Sequence, residues 1–341
     1  MKKNLKWLIL VVGVLFVVSE AQFISYLLMQ GQGQLEVLWN ARPVDEVLKD
    51  SIDQKLREKL LLVEEVKAFA KEDLGLDSEG LYTTVYDQNG EDILWNLTAC
   101  DPFALQSIEW SFPIVGNVSY KGFFDLEKAK YEEQKLKEKG YDTRIRPVNA
   151  WSTLGWFQDP ILSNNLERSE GRLAELFIHE ITHANIFLKD SLTFNENLAS
   201  FIGEQGALQF LTNKYGQEST LLDDYKASEN DTQSFVKHCL NGVSDLKILY
   251  TSFNENMSFS EKVKSKEMYM KKWVETLDSM PFNNPKIYIG RFEEKLPNNA
   301  FFMAFERYDS KKESFDLQLQ GEFEGDLKAF IKYYVKNSDG L

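Results

Sequence analysis

The sequence predicts an α+β fold, predominantly helical, in which a small β-sheet and many helices form one globular domain behind an N-terminal membrane segment. Three observations predict it. Apolar residues recur at helical spacing over Leu35 to Ala70, through the segment from Arg172 to Leu188, and over most of the chain beyond Thr212. Between Leu81 and Val118 the pattern shifts to β-branched and aromatic residues, with Gln88-Asn89-Gly90-Glu91 as a turn inside it. At the start, Lys2, Lys3 and Lys6 precede an apolar run from Trp7 to Val18.

Taken in order, residues 1–29 read as a signal peptide or a membrane anchor. Ser19 and Ala21 stand at the small-residue spacing that signal peptidases accept, which favours cleavage. Joined to Phe23–Met29 across Glu20 and Gln22, the same run approaches spanning length, which favours an uncleaved anchor. Either reading leaves the basic end in the cytoplasm and carries the rest of the chain across the membrane.

Residues 30–341 form the domain, divided into 30–165 (helices and sheet), 166–215 (the chemistry) and 216–341 (helical). Leu35 to Ala70 is expected to make two helices separated near Arg42-Pro43. Gln88–Glu91 is expected to close a hairpin between Tyr82–Tyr86 and Ile93–Leu97, since Asn-Gly suits the left-handed positions of a tight turn. Asp125 to Lys139, stopped by Gly140, is expected to be a charged helix between strands Asn117–Phe123 and Tyr141–Val148. Ala150 to Asn165 reads as a loop rich in Trp, Gly and Pro. Loops are also expected at Ser228–Asp231 and Met280–Pro285.

A chain of 341 residues with 43% hydrophobic content has enough apolar material for a substantial core. Its net charge of -14 argues against a nucleic-acid partner, because that affinity comes from Lys and Arg neutralising phosphates. Cys100 and Cys239 form no CxxC pair, which excludes a cysteine metal knot or a redox motif and leaves open either one long-range disulfide or two buried thiols.

The chemistry is concentrated in His179-Glu180-Ile181-Thr182-His183, which holds two of the three histidines. On a helix, positions four apart differ by about 40° around the axis, so both imidazoles can address one ion. Glu180 between them can take a proton from water on a metal, the arrangement of zinc peptidases. One zinc ion would need a third ligand, and Glu196 on the next helix is the candidate; the alternative is that Thr193 to Glu196 forms a helix capping box. Ser200 and Glu204, further along that helix, could orient the imidazoles. His238 could stabilise an oxyanion or simply be structural.

These residues resemble a known family, the bacterial predicted aminopeptidases, membrane-associated relatives of the thermolysin-like gluzincins. The resemblance runs through Gly33-Gln34-Leu35, Ala41-Arg42-Pro43, Val118 to Phe124, Gly140-Tyr141-Asp142, Ser152 to Phe157, Asp159-Pro160, the HExxH helix, Phe194-Asn195-Glu196 and Asn298-Asn299-Ala300. It implies a zincin-like metallopeptidase domain with one zinc on His179, His183 and Glu196, Glu180 as base, peptides as substrate, and Trp156 and Asn299 on the substrate side. Ser200 stands where thermolysin-like enzymes carry an acidic residue. An aminopeptidase also needs a carboxylate for the substrate's free amine, for which Asp159 or Glu204 could serve. Two further expectations compete: a non-catalytic envelope protein that binds peptides or acts as a scaffold, and an endopeptidase or cell-wall amidase using the same site.

Overall fold

The structure, a computed structural model, describes residues 21–112, 116–148, 159–188, 191–309 and 312–337. Among them the protein is mostly helical with small sheets, as the α+β expectation requires. The first helix, α1 (Ala21–Asn40), crosses residue 29 without a break and seats Met29 and Val37 in the interior. A Cβ on Gly33 would lie 2.2 Å from the ring of Phe124, so only glycine lets α1 approach that ring. The apolar run from Trp7 to Val18 lies outside the described residues, and among these no helix is long and apolar enough to cross a membrane.

Beyond α1 come β1 (Arg42–Pro43), the short α2 (Val44–Val47) and α3 (Gln54–Phe69). Asp53 caps α3, its side chain accepting from the Lys55 and Leu56 amides at 2.9 and 3.4 Å, which satisfies donors a helix start leaves unpaired. The buried stripe of α3 is Leu60, Val63 and Val66, packed against the helix that carries His179. The expected break at Arg42-Pro43 is where β1 falls.

Among the described residues, eight strands make three small sheets. In the first, β1 pairs antiparallel with β2 (Thr84–Tyr86), and β2 pairs parallel with β8 (Ile161–Leu162). In the second, β3 (Trp95–Cys100) is central, antiparallel to both β6 (Lys121–Phe123) and β7 (Asp142–Pro147). A two-stranded ribbon joins β4 (Trp110–Phe112) to β5 (Gly116–Val118). Between β6 and β7 runs α4 (Leu126–Glu138), capped by Asp125 and ended at Gly140, whose φ of 86° is the left-handed conformation glycine tolerates best. The helix lies between strands as expected, but the expected first strand, Asn117–Phe123, is two: β5 belongs to the ribbon with β4, while β6 joins the sheet in which β3 lies between it and β7.

The expected hairpin is not. Gln88–Glu91 does turn, with Asn89 and Gly90 at φ 52° and 79° and the Glu91 amide donating to the Gln88 carbonyl at 3.0 Å. Yet β2 and β3 enter different sheets. The turn is held from elsewhere: the Gln88 amide donates to Ser163 Oγ at 2.8 Å and the Asn164 amide donates to the Gln88 side-chain oxygen at 3.1 Å. That anchorage hands β2 to β8 and frees β3 for β6 and β7.

The remainder is helical: α5 (Glu170–Asn185), α6 (Leu192–Tyr215), α7 (Thr220–Thr251), α8 (Phe259–Asp278), α9 (Asn299–Asp309), α10 (Lys312–Glu322) and α11 (Leu327–Asn337). The main core gathers α3, α5, α6, α10 and α11 around Phe201 and Phe330, and a second core joins α7, α8 and α9 around Trp273 and Phe302. The loop expected at Ser228–Asp231 is instead continuous helix within α7. Its polar side chains, which locally favour a break, are engaged from outside: Arg172 donates to Ser228 Oγ at 2.8 Å, and Asp231 accepts the Asn283 and Asn284 amides at 2.8 Å each. The stretch after α8 at Met280–Pro285 is the loop expected there. Cys100 and Cys239 are both buried free thiols, so of the two open readings the disulfide is set aside.

Candidate metal centre

Helices α5 and α6 lie against one another because small residues sit on their contact line. A Cβ on Gly203 would stand 2.9 Å from the Glu175 carbonyl oxygen and 3.2 Å from the Cβ of His179. Bulkier residues there would push α6 off α5. Helix α5 buries Leu173, Ala174, Phe177, Ile178 and Ile181, which leaves His179, Glu180 and His183 on a half-buried face toward α6.

The connection between the helices is clamped by Asn195. Its side-chain oxygen accepts from the Leu188 amide at 2.9 Å and its amide nitrogen donates to the Leu188 carbonyl at 2.8 Å. The next residue is Glu196, whose Oε2 lies 3.7 Å from His179 Nε2 and whose Oε1 lies 3.7 Å from His183 Nε2. The two imidazole Nε2 atoms are 3.1 Å apart. One ligand atom from each of His179, His183 and Glu196 thus falls within 4.8 Å of the others, a group that could hold a metal ion. No capping box forms at Thr193: the residue flanking the start of α6 is Ser191, and its side chain makes no cap bond.

Burial and the neighbouring His183 drive the His179 pKa down to about 3, so this imidazole stays neutral, as a metal ligand must be. Burial also lowers His183, but the hydrogen bond and charge of Glu196 outweigh it and raise the pKa overall. Burial pushes Glu180 up to about 7; Glu196 and Asp159 add to that rise and His183 opposes it. A carboxylate poised near neutrality can both take and return a proton.

The other expected site residues divide. Ser200 lies against the centre, its Oγ 3.5 Å from His179 Nδ1. Asp159 is buried and acts electrostatically on Glu180 and on the buried Tyr82. Glu204 does not turn toward the imidazoles: it is ion-paired with Lys312 of α10, within a buried group that includes Glu229, Arg172 and Glu175. Burial and the charge of Glu229 raise Glu204 to about 8 despite that lysine.

His238 stacks on Trp273 with centroids 4.4 Å apart, and its Nε2 is 3.0 Å from the Trp273 carbonyl oxygen, contacts that belong to the second core. Asn299 is fully buried as a structural hub. It donates to the Asp101 carbonyl and to the Asp142 carboxylate, both at 2.8 Å, and accepts from Tyr250 at 2.7 Å. Trp156 lies outside the described residues.

Two residues escaped the sequence reading. Asn195 looked like part of a motif, and nothing local marks it as the clamp. Tyr82 read as a strand residue, yet its backbone sits at φ 52°, and its ring packs edge-on against Phe177 with centroids 5.0 Å apart. An aromatic residue held in the left-handed region is a signal of local constraint visible only in the structure.

Fold and centre together define a mostly helical α+β protein that gathers two imidazoles and a carboxylate from adjacent helices around a point a metal could occupy. Residues 25–338 match the family model described as "Putative aminopeptidase", and the chain belongs to that family. No curated protein and no solved structure matches it.

Proposed function

We propose that the protein is a zinc-dependent metallopeptidase, an aminopeptidase of gluzincin-like type, with one zinc ion held by His179, His183 and Glu196. The observation that carries this reading is the convergence of those three side chains. Four-coordinate zinc with bonds of about 2.0–2.1 Å spaces its ligand atoms about 3.4 Å apart. The separations of 3.1, 3.7 and 3.7 Å bracket that spacing. Two imidazoles and one carboxylate are also the donor set of catalytic zinc sites that keep a fourth position open.

Bound zinc would supply a polarising charge for the scissile carbonyl and would acidify the attacking water. With zinc in place, Glu180 would accept a proton from the attacking water and deliver it to the leaving amine. Ser200 at His179 Nδ1 orients the ring so that Nε2 faces the centre. The Asn195 clamp fixes where α6 begins and hence where Glu196 points. The lysine-flanked apolar run at residues 1–29 supports delivery to a bacterial envelope, with the catalytic domain outside the cytoplasm and attached through that segment or released from it.

The deciding experiment measures zinc content and aminoacyl-anilide hydrolysis for the full chain and for Glu180→Gln. The reading expects about one zinc per chain in both proteins, with turnover in the wild type alone. Zinc in both proteins with equal cellular function and no turnover in either would instead mark a non-catalytic peptide-binding protein.

A further inference from the structure

We infer that the face of β7 beneath α9 is a binding site for a small inorganic anion of about the size of chloride, held by Arg144 and Arg146. These residues take no part in the proposed reaction, and the inference stands independently of the peptidase reading.

Strand register sets the geometry. Side chains two apart in a strand share a face, so Arg144 and Arg146 of β7 project to the same side of the second sheet. Their ladder partners on β3, Thr98 and Asn96, belong to that face as well. Helix α9 packs on both strands. Ala300 and Ala304, one turn apart on α9, complete a cavity walled also by Thr98, Ser107, Arg144 and Arg146. Ser107 is carried there by its bridge to Cys100 at the end of β3. The small alanine side chains keep the space open, with room for about one group of water size.

Charge points the same way. The chain has 53 acidic against 39 basic residues, so a carboxylate beside a half-buried arginine would be the ordinary outcome. Among the described residues Arg144 has no such partner. Its guanidinium lies over the Phe301 ring, 5.1 Å from the centroid, and the charges that act on it are those of Arg146 and Arg291. Arg291 likewise lies over a ring, that of Phe235, at 5.4 Å. Burial and then those two like charges lower the Arg144 pKa to about 10. A guanidinium has N–H donors around its edge, and a ring beneath its face offers none of them an acceptor. An anion in the cavity supplies both the acceptor and the opposite charge. Phosphate and acetate carry several heavy atoms, which this space does not admit, whereas chloride is close to a water molecule in size.

The test is a chloride titration of the full chain as purified, read by chloride NMR line width and by thermal unfolding, with sodium gluconate holding the ionic strength constant. The wild type is expected to show saturable broadening and a melting temperature that climbs by a few degrees as the site fills. Acetate and phosphate should not compete. Arg144→Gln is expected to bind chloride about tenfold more weakly or worse, since it loses a charge-assisted contact. Ala304→Leu keeps all three arginines but fills the space, and should lose the saturable component too.

No saturable broadening in the wild type, wild-type affinity in either variant, or competition by acetate or phosphate equal to that of chloride would each overturn the assignment. Should Arg144→Gln fail to fold, Ala304→Leu decides the matter alone.

Discussion

Gly203 of α6 lies so close to α5 that a side-chain carbon there would stand 3.2 Å from the Cβ of His179 and 2.9 Å from the Glu175 carbonyl oxygen. Its nearness to a proposed metal ligand couples helix packing to the centre. Gly203→Val is expected to destabilise the fold by about 1–3 kcal/mol through overpacking and to weaken metal binding, because α6 must retreat with Glu196 on it. Denaturant unfolding and a competitive zinc titration check both; unaltered zinc affinity in a measurably destabilised variant would separate the packing from the site.

The clamp before Glu196 should behave differently. Asn195→Ala removes both hydrogen bonds to Leu188, leaving a buried amide and carbonyl unpaired, a loss of about 1–3 kcal/mol. Activity is expected to fall by more than zinc affinity does, since the start of α6 loosens while the ligand itself remains. Parallel kcat and metal-content measurements distinguish this from simple unfolding.

Metal binding to the folded chain should raise its thermal stability. At a free zinc concentration 100 times the dissociation constant the gain is about 2.7 kcal/mol. Scanning calorimetry should show that gain in the wild type and in Glu180→Gln, and its loss in His183→Ala or Glu196→Gln. A shift of wild-type size in Glu196→Gln would remove Glu196 from the ligand set.

Asp231 offers a pH test at a residue outside the proposed metal ligands. Burial would raise its pKa, but the amide donors of Asn284 and Asn283 and the Asn283 side chain outweigh it, so the folded pKa lies below the ordinary value. A depressed carboxylate contributes stability that is fully present above its unfolded pKa, about 3.9, and lost as pH falls through the lower folded value. Asp231→Ala is therefore expected to be less stable than wild type at neutral pH, with the difference shrinking below about pH 4. Urea unfolding from pH 2.5 to 7 measures it, and a pH-independent difference would contradict the assignment.

Much of this was legible before any coordinates. The periodicity of α5, the Gly140 stop of α4 and the charged stretch between two strands all rest on interactions within a few residues, and all hold in the structure. The hairpin and the break at Ser228–Asp231 misled for the complementary reason. A favourable Asn-Gly turn does not say which strands will pair, and Ser163 with Asn164 redirected it. Polar residues that would loosen an isolated helix keep α7 intact because Arg172, Asn283 and Asn284 bind them.

By itself, the order of residues determined that two imidazoles and the carboxylate between them ride one helix, because spacing along a helix is a local geometric consequence of chain order. Only the tertiary structure decided which distant carboxylate meets them. It turned Glu196 inward, gave Glu204 to Lys312, brought Asp159 to the electrostatic neighbourhood of Glu180, stacked His238 on Trp273 and buried Asn299 in unrelated packing. Those outcomes depend on how separate helices and strands dock, and docking is set by close approaches such as Gly203 against α5, which no local pattern encodes.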